Sequence, residues 1–246
     1  ALGGYAATAI TAITVQNTLG VQAVHPVPAE LVGEQMQAVM EDLRPDAIKI
    51  GMTGNVEIIS EIARLLHQYS PRQVVLDPVM VSTSGHNLMT DEAVEAICTL
   101  LLPEVSLVTP NLHEAAVLLQ QPIHTVDDME YAAHLVYEKY HCACLVKGGH
   151  LTGNEMCDVL YDGHELHLFG ARRIHSGNLH GTGCTLSSAI ATFLAQGFPL
   201  YEAVELAKIY ITKAIEAGKD LHIGQGNGPL CHFPYLVNPV NPLTEE

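Results

Sequence analysis

Short apolar, β-branched runs alternate along this chain with longer stretches of helical period, and that alternation constrains the fold more than any single motif. A strand that is apolar on both faces needs cover on both sides. Helices that carry the chain back to a parallel neighbour supply it. The runs at 8–14, 47–50, 73–76, 107–109 and 143–147 read as strands. Helical patterns fall at 29–43, 56–69, 91–102, 113–119, 126–140, 185–196 and 200–217. Pro28 stands just before the first of these and Gly218 just after the last, as start and stop residues do. Asp162-Gly163, between apolar segments at 156–161 and 165–169, is a hairpin signal. The expected class is α/β, a mostly parallel central sheet with helices on both faces.

At 246 residues the chain has room for one such domain or two small ones. It carries 11 Lys and Arg against 27 Asp and Glu, a formal net charge of −16, with no basic run. Nucleic acid is thus excluded as an expected partner, because neutralising its phosphates takes clustered cations. A mononucleotide is not excluded, since helix N-termini, one lysine and Mg²⁺ can make a local positive field. Six cysteines, at 98, 142, 144, 157, 184 and 231, read as reduced thiols of a cytoplasmic protein rather than a disulfide framework. Cys142 and Cys144 share one face of an apolar strand, which core packing explains. A zinc set of His141, Cys142, Cys144 and His150 lacks a Cys-x-x-Cys pair. The first fifteen residues carry no charge, yet they lack a basic flank and fall short of the ~20 residues of a membrane span. No membrane partner is expected. Residues 234–246, rich in Pro and Asn, are expected to fray.

The richest segment is 178–188, Asn-Leu-His-Gly-Thr-Gly-Cys-Thr-Leu-Ser-Ser. Gly181 and Gly183 let the backbone approach a ligand at the mouth of an apolar helix. The first free N–H groups and the positive helix end then face that ligand, which makes an anion site suited to phosphate. Cys184 lies in the first turn, where the same field is expected to lower its pKa and favour the thiolate.

Gly-Thr-Gly-Cys resembles the anion-hole signature of the ribokinase-like kinases, in the branch where cysteine replaces the usual aspartate and hydroxymethylpyrimidine or pyridoxal is phosphorylated. Other segments resemble that branch in order: Val15-Gln16-Asn17-Thr18 with Gly20-Val21-Gln22, Lys49-Ile50-Gly51-Met52 and Asp77-Pro78-Val79-Met80 come first. Thr109-Pro110-Asn111-Leu112-His113-Glu114, Lys147-Gly148-Gly149-His150 and Gly226-Asn227-Gly228-Pro229 follow. The likeness covers about residues 1–233 and is greatest to the hydroxymethylpyrimidine/phosphomethylpyrimidine kinases of thiamine biosynthesis. It implies a ribokinase-like three-layer α/β/α sandwich, use of ATP and Mg²⁺, and a homodimer. It also implies that a strand and a Gly-rich turn of the family precede the equivalent of Ala1, so the chain is expected to lack that N-terminal strand.

In such a sheet ligands gather at the carboxyl ends of the strands, where most of these motifs fall. The resemblance implies that Gly181, Thr182, Gly183 and Cys184 donate to the γ-phosphate, and that ionised Cys184 takes the proton of a primary alcohol late in the transfer. Glu114 of the Asn-x-x-Glu pair, and Asp77 at a strand end, are the expected metal carboxylates, although helix caps generate the same spacing. Lys147, Asn111, Gly226 and Gly228 are the expected nucleotide contacts. Gln16 offers both a donor and an acceptor to an aminopyrimidine edge, and Met52 and Val79 would wall the ring. No Gly-x-x-x-x-Gly-Lys-Ser/Thr occurs, which excludes a P-loop kinase. Three other readings stand beside a hydroxymethylpyrimidine kinase: a pyridoxal kinase, a truncated non-catalytic fragment, and a Cys–His hydrolase pairing Cys184 with His180. The last lacks an evident third residue to orient the histidine.

Overall fold

The computed structural model describes residues 1–80, 89–149, 151 and 155–234. Eight strands and seven α-helices follow in order. A ribbon of β1 (Ala12–Asn17) and β2 (Gly20–Pro26) leads into α1 (Ala29–Asp42), β3 (Ile48–Ile50), α2 (Val56–Tyr69), β4 (Val74–Leu76) and α3 (Asp91–Ala96). Next come β5 (Leu107–Val108), α4 (Leu112–Leu119), α5 (Val126–Tyr140) and β6 (Ala143–Val146). A hairpin of β7 (Glu155–Tyr161) and β8 (Leu166–Arg172) precedes α6 (Thr182–Ala195) and α7 (Leu200–Gly218). The main sheet runs β3-β4-β5-β6-β7-β8, parallel across β3 to β6 and antiparallel at the β7–β8 edge.

The period of two in these strands decides which layer each side chain joins. Val74, Leu76, Val108, Cys144 and Val146 pack with α1 to α5 on one face. Val75, Leu107, Ala143 and Leu145 pack with α6 and α7 on the other. The sheet is therefore buried on both sides, which is why its parallel strands are short and almost wholly apolar. Cys142 and Cys144 lie in that core, as core packing requires. Of the zinc set that lacked a Cys-x-x-Cys pair, His150 lies outside the described residues. The expected fraying at 235–246 falls outside them too.

Where caps are strong, helix limits match the expected ones. Asn55 accepts the Ile58 N–H at 2.9 Å and opens α2. Thr125 and Asp128 form a reciprocal capping box at the start of α5. Three expectations need correction. The expected strand at 8–14 begins only at Ala12 and pairs outside the main sheet, with β2, a strand the pattern did not indicate. Helix α6 starts at Thr182, three residues before the expected 185, because Gly181 already turns the chain at φ 83°. Gly218 ends α7 from within, and a side chain there would lie 2.8 Å from the Cys231 nitrogen. No helix of the described residues is long and apolar enough to cross a membrane.

The turn after β6 has no room for a side chain at Gly148, where a Cβ would sit 1.9 Å from the Cys157 carbonyl oxygen. Gly148→Ala is expected to push β6 and β7 apart and to cost ~1–3 kcal/mol, the usual range for overpacking. Urea unfolding would measure it, and a midpoint unchanged from wild type would show that the turn relaxes freely.

Candidate active site

Three strands of the sheet extend their ladders by one residue at the carboxyl end. The Asp77 N–H donates to the Ile50 carbonyl at 2.9 Å, Thr109 to Leu76 at 2.9 Å, and Lys147 to Pro110 at 2.8 Å. This brings three polar residues to one edge. Lys147 Nζ lies 2.7 Å from Asp77 Oδ1; the carboxylate is buried and the lysine side chain is 15% exposed. Thr109 Oγ1 donates to the same oxygen at 3.3 Å, and Ser187 Oγ on α6 donates to Asp77 Oδ2 at 3.4 Å. Burial pushes the Asp77 carboxyl up, but the Lys147 ammonium overrides it and holds the group below the usual carboxylate range. Burial likewise pulls the Lys147 ammonium down, and Asp77 and Glu114 more than offset that. Both partners are charged at neutral pH.

The N-terminus of α6 rests on this pair. A Cβ on Gly183 would lie 3.3 Å from Lys147 Nζ and 3.5 Å from Asp77 Oδ2, so the helix end meets the cation without an intervening side chain. Thr182 turns both its N–H (3.2 Å) and its hydroxyl (2.6 Å) back onto the Leu179 carbonyl. The amides of Gly183 and Cys184 occupy first-turn positions that have no acceptor within a helix. Cys184 is exposed on the wall of the cleft. Even so, enough protein surrounds it that burial pushes its thiol above the ordinary value. The Asp77 carboxylate adds to that, and Lys49 and Lys147 act against it. The direction is thus opposite to the expected shift toward thiolate: desolvation and the Asp77 carboxylate outweigh Lys49 and Lys147.

Asn111 and Glu114 form a capping box on α4. Asn111 Oδ1 accepts the Glu114 N–H at 2.9 Å, and Glu114 Oε2 accepts the Asn111 N–H at 2.8 Å. The cap and the cleft-facing carboxylate are the same residues, so the spacing serves both purposes. Glu114 Oε1 has a longer contact, 3.5 Å from the Met80 nitrogen. Burial raises the Glu114 pKa, Lys147 lowers it, and the net direction is up.

A cleft of about 1340 Å³ runs along this edge. Gln16, Met52, Val79 and His180 line it together with the Asp77–Lys147 pair, Glu114, and Gly181 through Cys184. Farther along the strand order it is lined by Met156, Ala171, Ile174, Ile211 and Ile215. Of the residues singled out from sequence, Gly226 and Gly228 are not on its wall, whereas Asn227 is. A Cβ on Gly226 would strike the Thr18 carbonyl oxygen at 2.1 Å, and one on Gly228 would strike Asn178 Oδ1 at 1.9 Å. Both glycines let the chain pack closely here, and Asn227 between them is the residue of this loop that reaches the wall.

Sequence reasoning passed over several residues here. Lys49 acts electrostatically on Asp77 and Cys184, and only its place at a strand end beside Gly51 hinted at it. Asp158 accepts the Gly148 N–H at 2.8 Å and pairs with Lys208 at 2.6 Å, which stiffens the turn behind Lys147. Arg173 donates to the Gly149 and Leu151 carbonyls at 3.1 and 2.6 Å. The apolar end of the cleft comes from β7, β8, the residues after β8, and α7, which meet only in three dimensions.

A family model described as phosphomethylpyrimidine kinase matches residues 1–231. A hydroxymethylpyrimidine/phosphomethylpyrimidine kinase of Rhizobium meliloti is 51% identical over 235 residues, 95% of this chain and 88% of that protein. A crystal structure of a phosphomethylpyrimidine kinase from Clostridium difficile superposes with a TM-score of 0.78 at 42% identity, over 87% of this chain and 88% of that one. Pyridoxal kinase of Staphylococcus aureus in complex with AMP-PCP and pyridoxal superposes with a TM-score of 0.85 at 31% identity, over 95% and 84% of the two chains.

The Glu114 environment has a sign that can be tested. Its folded pKa lies above the unfolded value of ~4.3. As pH rises, the unfolded chain therefore loses that proton first, and this residue's contribution to stability falls until the folded pKa is passed. Glu114→Gln keeps an oxygen for the Asn111 N–H and removes the charge. In ligand-free urea melts the variant should gain stability relative to wild type between pH 4 and pH 7. A relative loss over the same interval would mean that ionised Glu114 stabilises the free protein.

Proposed function

We infer, for a chain that belongs to the phosphomethylpyrimidine kinase family, that it transfers the γ-phosphoryl group of ATP to the hydroxymethyl oxygen of hydroxymethylpyrimidine and then to the resulting monophosphate. The observation that carries this reading is the packing of the α6 start, at Gly183, against the Lys147–Asp77 pair. Phosphoryl transfer asks mainly for positioning and for neutralisation of charge on the moving group. Two first-turn residues of α6 and the Lys147 ammonium line the same cleft, and the chain's net charge of −16 does not cancel so local a field.

The acceptor ring fits the end of the cleft bounded by Gln16, Met52 and Val79. Gln16 pairs with the polar edge of the ring, and Met52 and Val79 cover its faces. The adenosine part fits the opposite, apolar end near Ile174, Ile211 and Ile215, which places the triphosphate over Lys147. Of the two carboxylates, Glu114 fits a hydrated Mg²⁺ better. Its Oε1 has only a long protein contact and burial makes its ionisation costly, whereas Asp77 already accepts from Lys147, Thr109 and Ser187. Mg²⁺ held there through water would neutralise charge on the phosphates.

Cys184 receives the alcohol proton. A thiol above its usual pKa is mostly protonated at neutral pH, so the active thiolate is a minor form there. Its higher basicity matches an alcohol whose proton becomes acidic only as the new O–P bond forms. A pyridoxal kinase is the second reading, favoured by the superposition on the S. aureus enzyme. Turnover with each alcohol separates the two.

If Cys184 is the base, kcat/KM for the alcohol should climb roughly tenfold per pH unit above pH 7, until the thiol ionises. Cys184→Ala should lower the rate by ~10²–10⁴ and flatten that climb. A variant that keeps the wild-type pH slope would strip Cys184 of the role and leave it as a residue of the anion turn.

A further inference from the structure

Gln16 is already held in the free protein. Its Nε2 lies 3.1 Å from His180 Nε2. An amide nitrogen can only donate, so in this contact the imidazole Nε2 accepts, the role it has in the tautomer with the proton on Nδ1. One amide N–H is thereby committed to the histidine. The other N–H and the carbonyl oxygen remain for the cleft, whose wall Gln16 forms.

Two further features hold this arrangement. The β1–β2 register shifts between Val15 and Gln16, so Gln22 is an extra residue opposite them, and such a bulge re-aims the side chain beside it. His180 is anchored from behind, with its N–H donating to the Gly228 carbonyl at 3.1 Å beside a parallel bridge to Pro229. The loop bearing Gly228 is tied in turn to the turn of the β1–β2 ribbon. The Asn227 N–H donates to the Thr18 carbonyl at 2.8 Å, and Gln225 and Gly226 N–H donate to Thr18 Oγ1 at 3.2 and 3.3 Å. A closed circuit therefore runs from Gln16 through the ribbon and the C-terminal loop to His180.

We propose that His180 is a positioning residue that fixes the orientation of the Gln16 carboxamide, so that the site selects a ring whose edge sets a hydrogen-bond donor beside an acceptor. The inference rests on the reading of Gln16 as the ring-recognising group. An amino group next to a ring nitrogen matches a carbonyl oxygen next to an N–H. Pyridoxal carries its formyl oxygen, an acceptor, beside the hydroxymethyl arm where the pyrimidine carries its amino group, so two acceptors would meet unless the amide turned over. That turn would make His180 the donor and require the other tautomer or a protonated ring.

The test is a double-mutant cycle read as selectivity, the ratio of kcat/KM for hydroxymethylpyrimidine to that for pyridoxal. His180→Phe keeps a ring but removes the acceptor, and is expected to lower the ratio about five- to tenfold, the effect of one hydrogen bond. KM for ATP should stay unchanged. His180→Gln, which restores an acceptor, should hold the ratio within about twofold of wild type. In a Gln16→Leu background His180→Phe should change nothing further. A ratio unmoved by His180→Phe while Gln16→Leu lowers it, or an equal drop in both backgrounds, overturns the positioning role and leaves the reading of Gln16 intact. If Gln16→Leu itself leaves the ratio unchanged, the recognition role of Gln16 fails and the inference fails with it.

Discussion

The buried ion pair between Asp77 and Lys147 is the interaction on which the rest of the site depends. Its partners leave strands β4 and β6, with β5 between them, so the pair closes only when three parallel strands share one register. Taking two charges out of water is costly, and such a pair survives where further hydrogen bonds satisfy it. Thr109 from the middle strand and Ser187 from α6 supply them. The Ser187 hydroxyl also lies 3.1 Å from the Gly183 and Cys184 carbonyls, which share its single proton with Asp77, so the same residue links the pair to the helix start above it. Replacing the pair with apolar residues could leave the fold as stable, but the cation under the helix end would be gone.

That arrangement explains how a strongly acidic chain can hold a polyanion. The field at the cleft floor is set by groups within a few ångströms, namely Lys147, Lys49 and the first turn of α6, because surface charges farther away are screened. Asp77 has two opposed effects in this setting. It keeps Lys147 protonated in a buried place, and it raises the thiol of Cys184. The charge that secures the phosphate-facing cation therefore also keeps the thiol protonated, and that opposition is absent from any reading of the α6 segment alone.

Much of this was legible in the sequence, for reasons that differ by element. Strands β3 to β6 are buried on both faces, so their apolar runs stand out, and α2 and α5 begin at side-chain caps that any pattern reading detects. The β1–β2 ribbon was misplaced because it faces no core. Ile13 is 61% exposed and Leu19 67%, so burial imposes no alternation there. Gly181, Gly183, Asn111, Glu114 and Lys147 were found because each sits where an element starts or ends. Gly226 and Gly228 were equally visible, but a glycine reports only that something comes close. Whether that neighbour is a ligand or another stretch of the chain depends on Thr18 and Asn178, which lie far away in sequence.

The position of His180 joins the two halves of the chemistry. It immediately precedes Gly181, so the residue that holds Gln16 and the turn that cradles phosphate are neighbours in one short segment. A displacement of the β1–β2 ribbon would be transmitted through Thr18 and the Gly226–Gly228 loop to the backbone of His180, and from there to the left-handed Gly181. A ring that fits Gln16 stabilises that circuit, and the circuit in turn fixes the start of α6. On the proposed roles of Gln16 and the α6 turn, recognition of the acceptor and shaping of the anion turn would be a single structural event, a way for an enzyme to make the alignment of the phosphate depend on the correct alcohol.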